Sequence, residues 1–248
     1  MPRSVRTLAF LAVSLVSQII RSIITVAIFV FAFSTGVAEN RVILLTKGGT
    51  FRQGKMSGPA DSPHSSSTLI DFLLLCGKLK TVKRTGWVHQ NVQHPESVSD
   101  HMYRMAMCSF LIPETVANRE KCLKMALVHD LAESLVGDIT PYCGISEQDK
   151  YMKEKDVFET IKSDLTGDLG KEIYDLWIEF EEGTTKEAQI IKDIDRFEMI
   201  LQAFEYEKEQ KLYLDSFYSS TKNIFETPLF SRLDKEMITF LGVFFKKL

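Results

Sequence analysis

The chain has little of what several common chemistries require. Its four cysteines, Cys76, Cys108, Cys122 and Cys143, are widely spaced and form no Cys-x-x-Cys pair. That excludes zinc-finger spacing and marks them as free thiols of a reducing compartment. There is no glycine-rich loop of the phosphate-cradling kind and no Ser-His-Asp nucleophile pattern. Beyond residue 67 there is no strand-like run and no internal repeat. A net charge of −3, with acidic stretches such as Glu179-Phe180-Glu181-Glu182, argues against a general nucleic-acid binder. Acidic residues are also missing from the whole segment before Glu39, which sets the N-terminus apart.

From Leu8 to Ala38 the chain is apolar, broken only by Ser and Thr, Gln18, Arg21 and Gly36. Residues 22–38 form a run of about 17 apolar or small residues, near the minimum for a spanning helix. Three readings compete: a membrane anchor, a secretory signal ending near Gly36-Val37-Ala38, and a mitochondrial presequence carrying Arg3, Arg6 and Arg21. The apolar stretch is long for a signal and too hydrophobic for a presequence, so a transmembrane helix with membrane contact through residues 8–38 is the expectation. Arg41, Lys47, Arg52 and Lys55 outnumber Arg3 and Arg6, which places an intracellular, cytosolic domain after it; a mitochondrial location is the alternative. Residues 52–67, with Gly, Pro and five Ser, read as flexible linker. The expected organisation is a leader or anchor over 1–40, a linker over 41–67 and one compact domain over 68–248.

That domain is helical in pattern. Periodicity predicts helices over 68–80, 97–112, 119–136, 147–165, 168–182, 185–210, 212–225 and 229–246. Asn118 precedes the third as a cap, Gly183 follows the fifth and Pro228 opens the last. The first has an apolar face of Leu69, Phe72, Leu73, Cys76 and Leu79. The fold class is all-α, a single helical bundle behind an N-terminal hydrophobic segment.

What is present is concentrated in Ala126-Leu127-Val128-His129-Asp130-Leu131-Ala132-Glu133. His129 and Glu133 are four apart and share a helix face, with Asp130 about 100° around the axis. A buried stripe tolerates an imidazole and two carboxylates only with a cation or hydrogen-bond partners, because desolvating charge costs several kcal/mol. Upstream, Val98, His101, Met102, Met105 and Ser109 form one stripe of a helix begun by Ser97 or Ser99, which turns His101 inward. Downstream, Ala188, Ile191, Ile194, Asp195 and Glu198 form the inward face of a long helix; Asp193, about 160° from Asp195, is expected in solvent. Taken singly, an inward His is a hydrogen-bonded core residue and an inward Asp a cap or an ion-pair partner of Arg196 or Arg104. Jointly, two imidazoles and two carboxylates on three apolar faces suit a divalent transition ion such as Mn, Co, Zn or Fe better than Ca or Mg.

Gly137 is expected to close the metal-ligand helix, with Pro141 preventing its continuation, so that Asp138 returns toward the site. Lys83 and Arg84 follow the first helix, where cations are favoured by the helix dipole alone. The functional alternative is that Arg84 grips a phosphate while Trp87 packs on a base or sugar, with Asn91 adding a hydrogen bond. Either Glu133 or Asp138 could deliver a proton to a leaving group, and Glu133 could instead orient an imidazole.

The order His … His-Asp … Asp on helices resembles the HD phosphohydrolase superfamily. Arg84-Thr85-Gly86-Trp87-Val88, Pro95 to Ala106, Ala126 to Asp130, Val136 to Ile139 and Glu198 to Ala203 resemble, more closely, the eukaryotic HD domain-containing protein 2 family of 5'-deoxynucleotidases, over roughly residues 68 to 225. The resemblance implies that His101, His129, Asp130 and Asp195 bind a divalent metal. It implies that Glu133, Asp138 and the carbonyl of Ile139 serve a second cation or proton transfer, and that Arg84 and Trp87 meet a nucleotide substrate. In the related bacterial nucleotidases the Arg and Trp of that loop are adjacent; here two residues intervene. It further implies Mn or Co as cofactor, with Mg, Zn or Fe possible, and a homodimer. Other phosphoesters, or a non-catalytic scaffold docked at a membrane, are the competing functions.

Overall fold

The computed structural model describes residues 64–245, with side chains through Phe240. The chain divides into two units, residues 1–61 and 62–248, and the described residues belong to the second. Among them there is no strand; helices α1 (Ser66–Lys78), α2 (Thr85–His89), α3 (Val98–Ser109), α4 (Arg119–Ala126), α5 (Glu133–Val136), α6 (Glu147–Asp164), α7 (Asp168–Glu182), α8 (Lys186–Gln210), α9 (Asp215–Ser220) and α10 (Pro228–Phe245) follow one another, with a 3-10 turn at Pro141–Cys143.

The expected transmembrane helix is not found among the described residues. Among the described residues no helix is long and apolar enough to cross a membrane, and residues 8–38, with the rest of the expected leader, lie outside the described residues.

The helix starts obey local chemistry. Ser65 caps α1, and α3 opens on a capping box in which Ser97 Oγ accepts from Asp100 N while Asp100 Oδ2 accepts from Ser97 N. Asn118, Ser146 and Thr185 cap α4, α6 and α8, and Gly183, left-handed at φ 64°, ends α7. The stripe Val98, His101, Met102, Met105 and Ser109 is buried as its spacing requires. On α1 the packed face contains Leu75 where Leu73 was expected; Leu73 is solvent-exposed.

Helix α8 is the hub, packing on α3, α4, α7, α9 and α10. One apolar cluster joins α3, α4 and α10 to it through Met105, Met125, Ile191, Ile194 and Phe230. A second lies under α1, α6 and α7, where Trp177 is stacked between Phe158 and Tyr151 at 4.6 and 5.5 Å. The site lies where α8 passes α3 and α4.

Two predicted helix spans are corrected, and one short helix had not been predicted. The helix predicted over 119–136 is interrupted: residues 127–132 are turns, with Leu131 N donating to Val128 O and Glu133 N to Asp130 O. The reason is the imidazole, because the Ala126 carbonyl takes His129 Nδ1 at 3.0 Å. Helix α2 has five residues, too few for a periodic signal. The helix expected over 212–225 shrinks to Asp215–Ser220, since Lys211 turns left-handed at φ 55°.

Asp193, expected in solvent, is fully buried. Its carboxylate accepts from the backbone N–H groups of Glu226 and Thr227 and from Thr227 Oγ1 at 2.7–3.2 Å, pinning the start of α10 to α8. A helical wheel of α8 alone cannot anticipate a partner from the next element. Asp193→Ala is therefore expected to cost about 1–3 kcal/mol, because it deprives two part-buried backbone N–H groups of a charged acceptor. Urea denaturation measures this, and a loss under 0.5 kcal/mol would contradict the capping role.

Candidate metal and phosphate site

Three elements deliver the donors. His101 comes from the first turns of α3, His129 and Asp130 from the turn between α4 and α5, and Asp195 from the middle of α8. Ligand atoms of His101, His129 and Asp195 lie within 4.8 Å of one another. Asp130 closes the set, its Oδ2 standing 3.1 Å from His129 Nε2 and 3.8 Å from His101 Nε2, and Asp195 Oδ1 is 3.2 Å from His101 Nε2. The imidazoles are buried while Asp195 keeps about a third of its side chain open to solvent, so the cluster has a floor and an opening.

The outer nitrogens settle how each ring is turned. His129 Nδ1 faces a carbonyl and His101 Nδ1 faces Glu198 Oε2 at 2.5 Å. A carbonyl or carboxylate can only accept, so both Nδ1 atoms donate, which turns both Nε2 atoms into the cluster. Neither buried Nε2 has a hydrogen-bond partner of acceptable geometry. Two orphaned imidazole nitrogens beside two carboxylates fit a divalent cation, with the Nδ1 contacts orienting the rings as metal-binding histidines require.

The charges are arranged against burial. Desolvation and the Arg84 charge oppose protonation of His101, yet Glu198 and Asp195 outweigh them and push its pKa up to about 10. Burial raises Asp195, but the His101 imidazole beside it and the Arg84 charge bring it down to about 2. Despite burial, His129, Arg84 and His101 hold Asp130 well below the usual carboxylate range. Glu133 goes the other way: burial first, then the negative charges of Asp130 and Asp138, raise it well above an ordinary glutamate, and its Oε2 has no hydrogen-bond partner. Burial among negative charges favours its neutral form.

Arg84, at the start of α2, points its guanidinium at the cluster, 3.6 Å from Asp130 and 3.9 Å from Asp195. Asp138 reaches the same loop: its Oδ2 accepts from Thr85 N at 2.5 Å and its carbonyl from Thr85 Oγ1 at 2.7 Å. Gly137, left-handed at φ 76°, gives the chain the reversal that brings Asp138 there. Ile139 is buried behind it. Two expected residues are not brought into the opening. Trp87 is only 1 % exposed, packed on Phe217 and Tyr206 with ring centroids 4.4 and 5.4 Å away, so its indole presents no free face to a base. Asn91 is an exposed left-handed turn residue at φ 56°.

Sequence reasoning placed Glu198 on an apolar face but gave it no task. Its carboxylate accepts from His101 Nδ1 and from Arg104 Nε at 2.8 Å, and Arg104 also holds Gln202 and Glu205. Glu96 was missed altogether: it accepts from Trp87 Nε1 at 2.8 Å, and burial together with Glu198 pushes its pKa up to about 7. The available signal was a glutamate three residues after Asp195 on the same stripe; nothing local marks Glu96.

Such a cluster on an all-α bundle defines a metal-binding hydrolase scaffold, and the HD-domain family matches residues 76–233. The chain belongs to the HD-domain family. It is 51% identical to the 5'-deoxynucleotidase HDDC2 of Dictyostelium discoideum over 180 residues, covering 67% of this chain and 95% of that protein. It is 45% identical to the human 5'-deoxynucleotidase HDDC2 over 184 residues, covering 73% and 90%. A solved structure of a conserved hypothetical protein from Pyrococcus furiosus superposes with a TM-score of 0.59 at 30% identity, covering 68% of this chain and 99% of that one.

Proposed function

We propose that this chain is a metal-dependent 5'-deoxynucleotidase, a phosphoric monoester hydrolase that converts deoxyribonucleoside 5'-monophosphates to deoxynucleoside and phosphate. The observation that carries the reading is the convergence of two orphaned imidazole nitrogens and two carboxylates beside an arginine. Relatives similar over most of the chain and named 5'-deoxynucleotidase support the substrate class.

His101, His129, Asp130 and Asp195 would hold the ion, and Glu133, Asp138 and the Ile139 carbonyl would serve a second cation or proton transfer, the latter being the role we give Glu133. When bound, a divalent cation supplies a Lewis acid for the phosphoryl group and acidifies water from a pKa of ~16 toward ~7. Arg84 grips the phosphate oxygens and holds them beside the cluster. Glu133, kept neutral by burial between two negative charges, carries the proton that the departing 5'-oxygen needs, and Asp138 fixes the Arg84–Thr85 loop across the opening.

The direct test follows phosphate release from paired 5'-dNMP and 5'-NMP substrates by the full chain supplied with Mn or Co. Faster release from the deoxy substrates is expected. Silence on every monophosphate with metal bound would defeat the reading and direct attention to other phosphoesters. Glu133→Ala is expected to lower kcat by about 10²–10⁴-fold, the usual contribution of a positioned proton donor, while the protein still binds one ion per chain. Elemental analysis decides: loss of all metal would make Glu133 a ligand and remove it as the proton carrier.

A further inference from the structure

We propose that Glu96 is a positioning residue for the substrate loop, clamping Trp87 and the Arg84 backbone to the start of the helix that carries His101. The inference rests on the reading of this site as a nucleotide hydrolase and assigns a task to a residue that touches no substrate.

Arg84 sits on a short segment with little of its own to hold it. Helix α2 has five residues, and its cap Arg84 makes no side-chain capping bond. A helix that short is not self-supporting, so the aim of the guanidinium has to be set by outside contacts. Glu96 supplies them from three groups at once. Its carboxylate Oε1 accepts from the buried Trp87 Nε1 at 2.8 Å, its carbonyl accepts from Arg84 N at 3.2 Å, and its own N–H donates to Tyr206 on α8 at 2.8 Å. Tyr206 in turn packs edge-on against Trp87. Flanking contacts continue the clamp, with Val98 N donating to Val82 O and Lys83 bridged to Ser97.

The other end of the clamp is the metal cluster. Donor atoms of Glu96, His101 and Glu198 lie within 4.8 Å of one another, and Glu96 is five residues before His101 on the chain leading into α3. Displacing Glu96 therefore shifts the arginine relative to the imidazoles, the two groups a phosphate must meet together. Trp87 is then not a surface for the base but the anchor of the loop. Leaving the buried indole N–H without an acceptor costs free energy, so removing the carboxylate loosens the anchor and, with it, the hold on the guanidinium.

The test compares Glu96→Ala with Glu96→Gln in the full chain. Gln keeps an oxygen that can accept from Trp87 Nε1; Ala does not. For Glu96→Ala, KM should rise at least about 10-fold and deoxy-over-ribo preference should fall severalfold, since misplacing a clamp by an ångström costs up to ~10²-fold. Metal content should be unchanged, and Glu96→Gln should stay within about 3-fold of the parent. The second readout needs no turnover. In a Trp177→Phe background Trp87 is the sole tryptophan, because the chain has two; its emission should shift to the red in Glu96→Ala and not in Glu96→Gln. Parental KM and selectivity in Glu96→Ala would overturn the proposal. So would equal impairment in both variants, or metal lost together with activity. If the parent hydrolyses no monophosphate, the deoxynucleotidase reading falls by itself, and the emission comparison alone decides the clamp: no red shift ends it.

Discussion

His129→Ala should abolish phosphate release, by about 10³-fold or more, and strip the site of metal. The imidazole is a donor that nothing nearby can replace. It is 3 % exposed, its ring lies 4.9 Å from Phe180, and its Nδ1 is committed to the Ala126 carbonyl, leaving Nε2 beside Asp130. Removing it deletes one proposed ligand and leaves Asp130 without the neighbour that most lowers its pKa. A bound metal contributes several kcal/mol of transition-state stabilisation, which at 1.36 kcal/mol per decade is a loss of about three orders of magnitude. His129→Gln, closer in volume, separates lost chemistry from lost packing: both variants should be inactive, with Gln nearer the parent in helical content. Elemental analysis and phosphate release measured on the same preparations give the answer. An active, metal-loaded His129→Ala protein would remove His129 from the ligand set.

Glu198→Ala is expected to have the largest combined effect on stability and metal binding. Its carboxylate is fully buried and joins His101 to Arg104. Breaking a buried pair by deleting one partner costs about 3–5 kcal/mol; the lower end applies here, because Arg104 is a quarter exposed and keeps Glu205. Loss of the group that orients a metal-binding histidine weakens metal affinity about 10–100-fold. Glu198→Gln keeps one acceptor and should recover part of both. Urea denaturation and metal titration measure the two effects separately. Unchanged metal affinity in Glu198→Ala would mean that backbone packing alone aims His101.

Much of this was legible from neighbours in sequence. The capping residues Ser97, Asn118 and Gly183 and the buried stripe through His101 are consequences of hydrogen bonds and periodicities that span one or two turns. The break at residues 127–132 was not legible, because a side chain took a carbonyl that the helix pattern assumes free. Asp193 was misjudged because its partners, Glu226 and Thr227, lie in the loop just before α10, more than thirty residues further on. Trp87 was expected in the opening because its type suits a base; the ring's true neighbours, Tyr206 and Phe217, come from α8 and α9.

The sequence by itself determined an all-α domain and the residue types of the cluster, because helical spacing and the cost of burying charge are properties of short segments. Only the tertiary structure decided which groups meet. The crossing of α3, the α4–α5 turn and α8 sets the spacing of His101, His129, Asp130 and Asp195. The closing of the α2 loop over that crossing puts Arg84 beside two of them. Burial acts on charge only through the neighbours: it raises the Glu133 pKa where Asp130 and Asp138 surround that group, while Asp195 stays low because His101 and Arg84 face it.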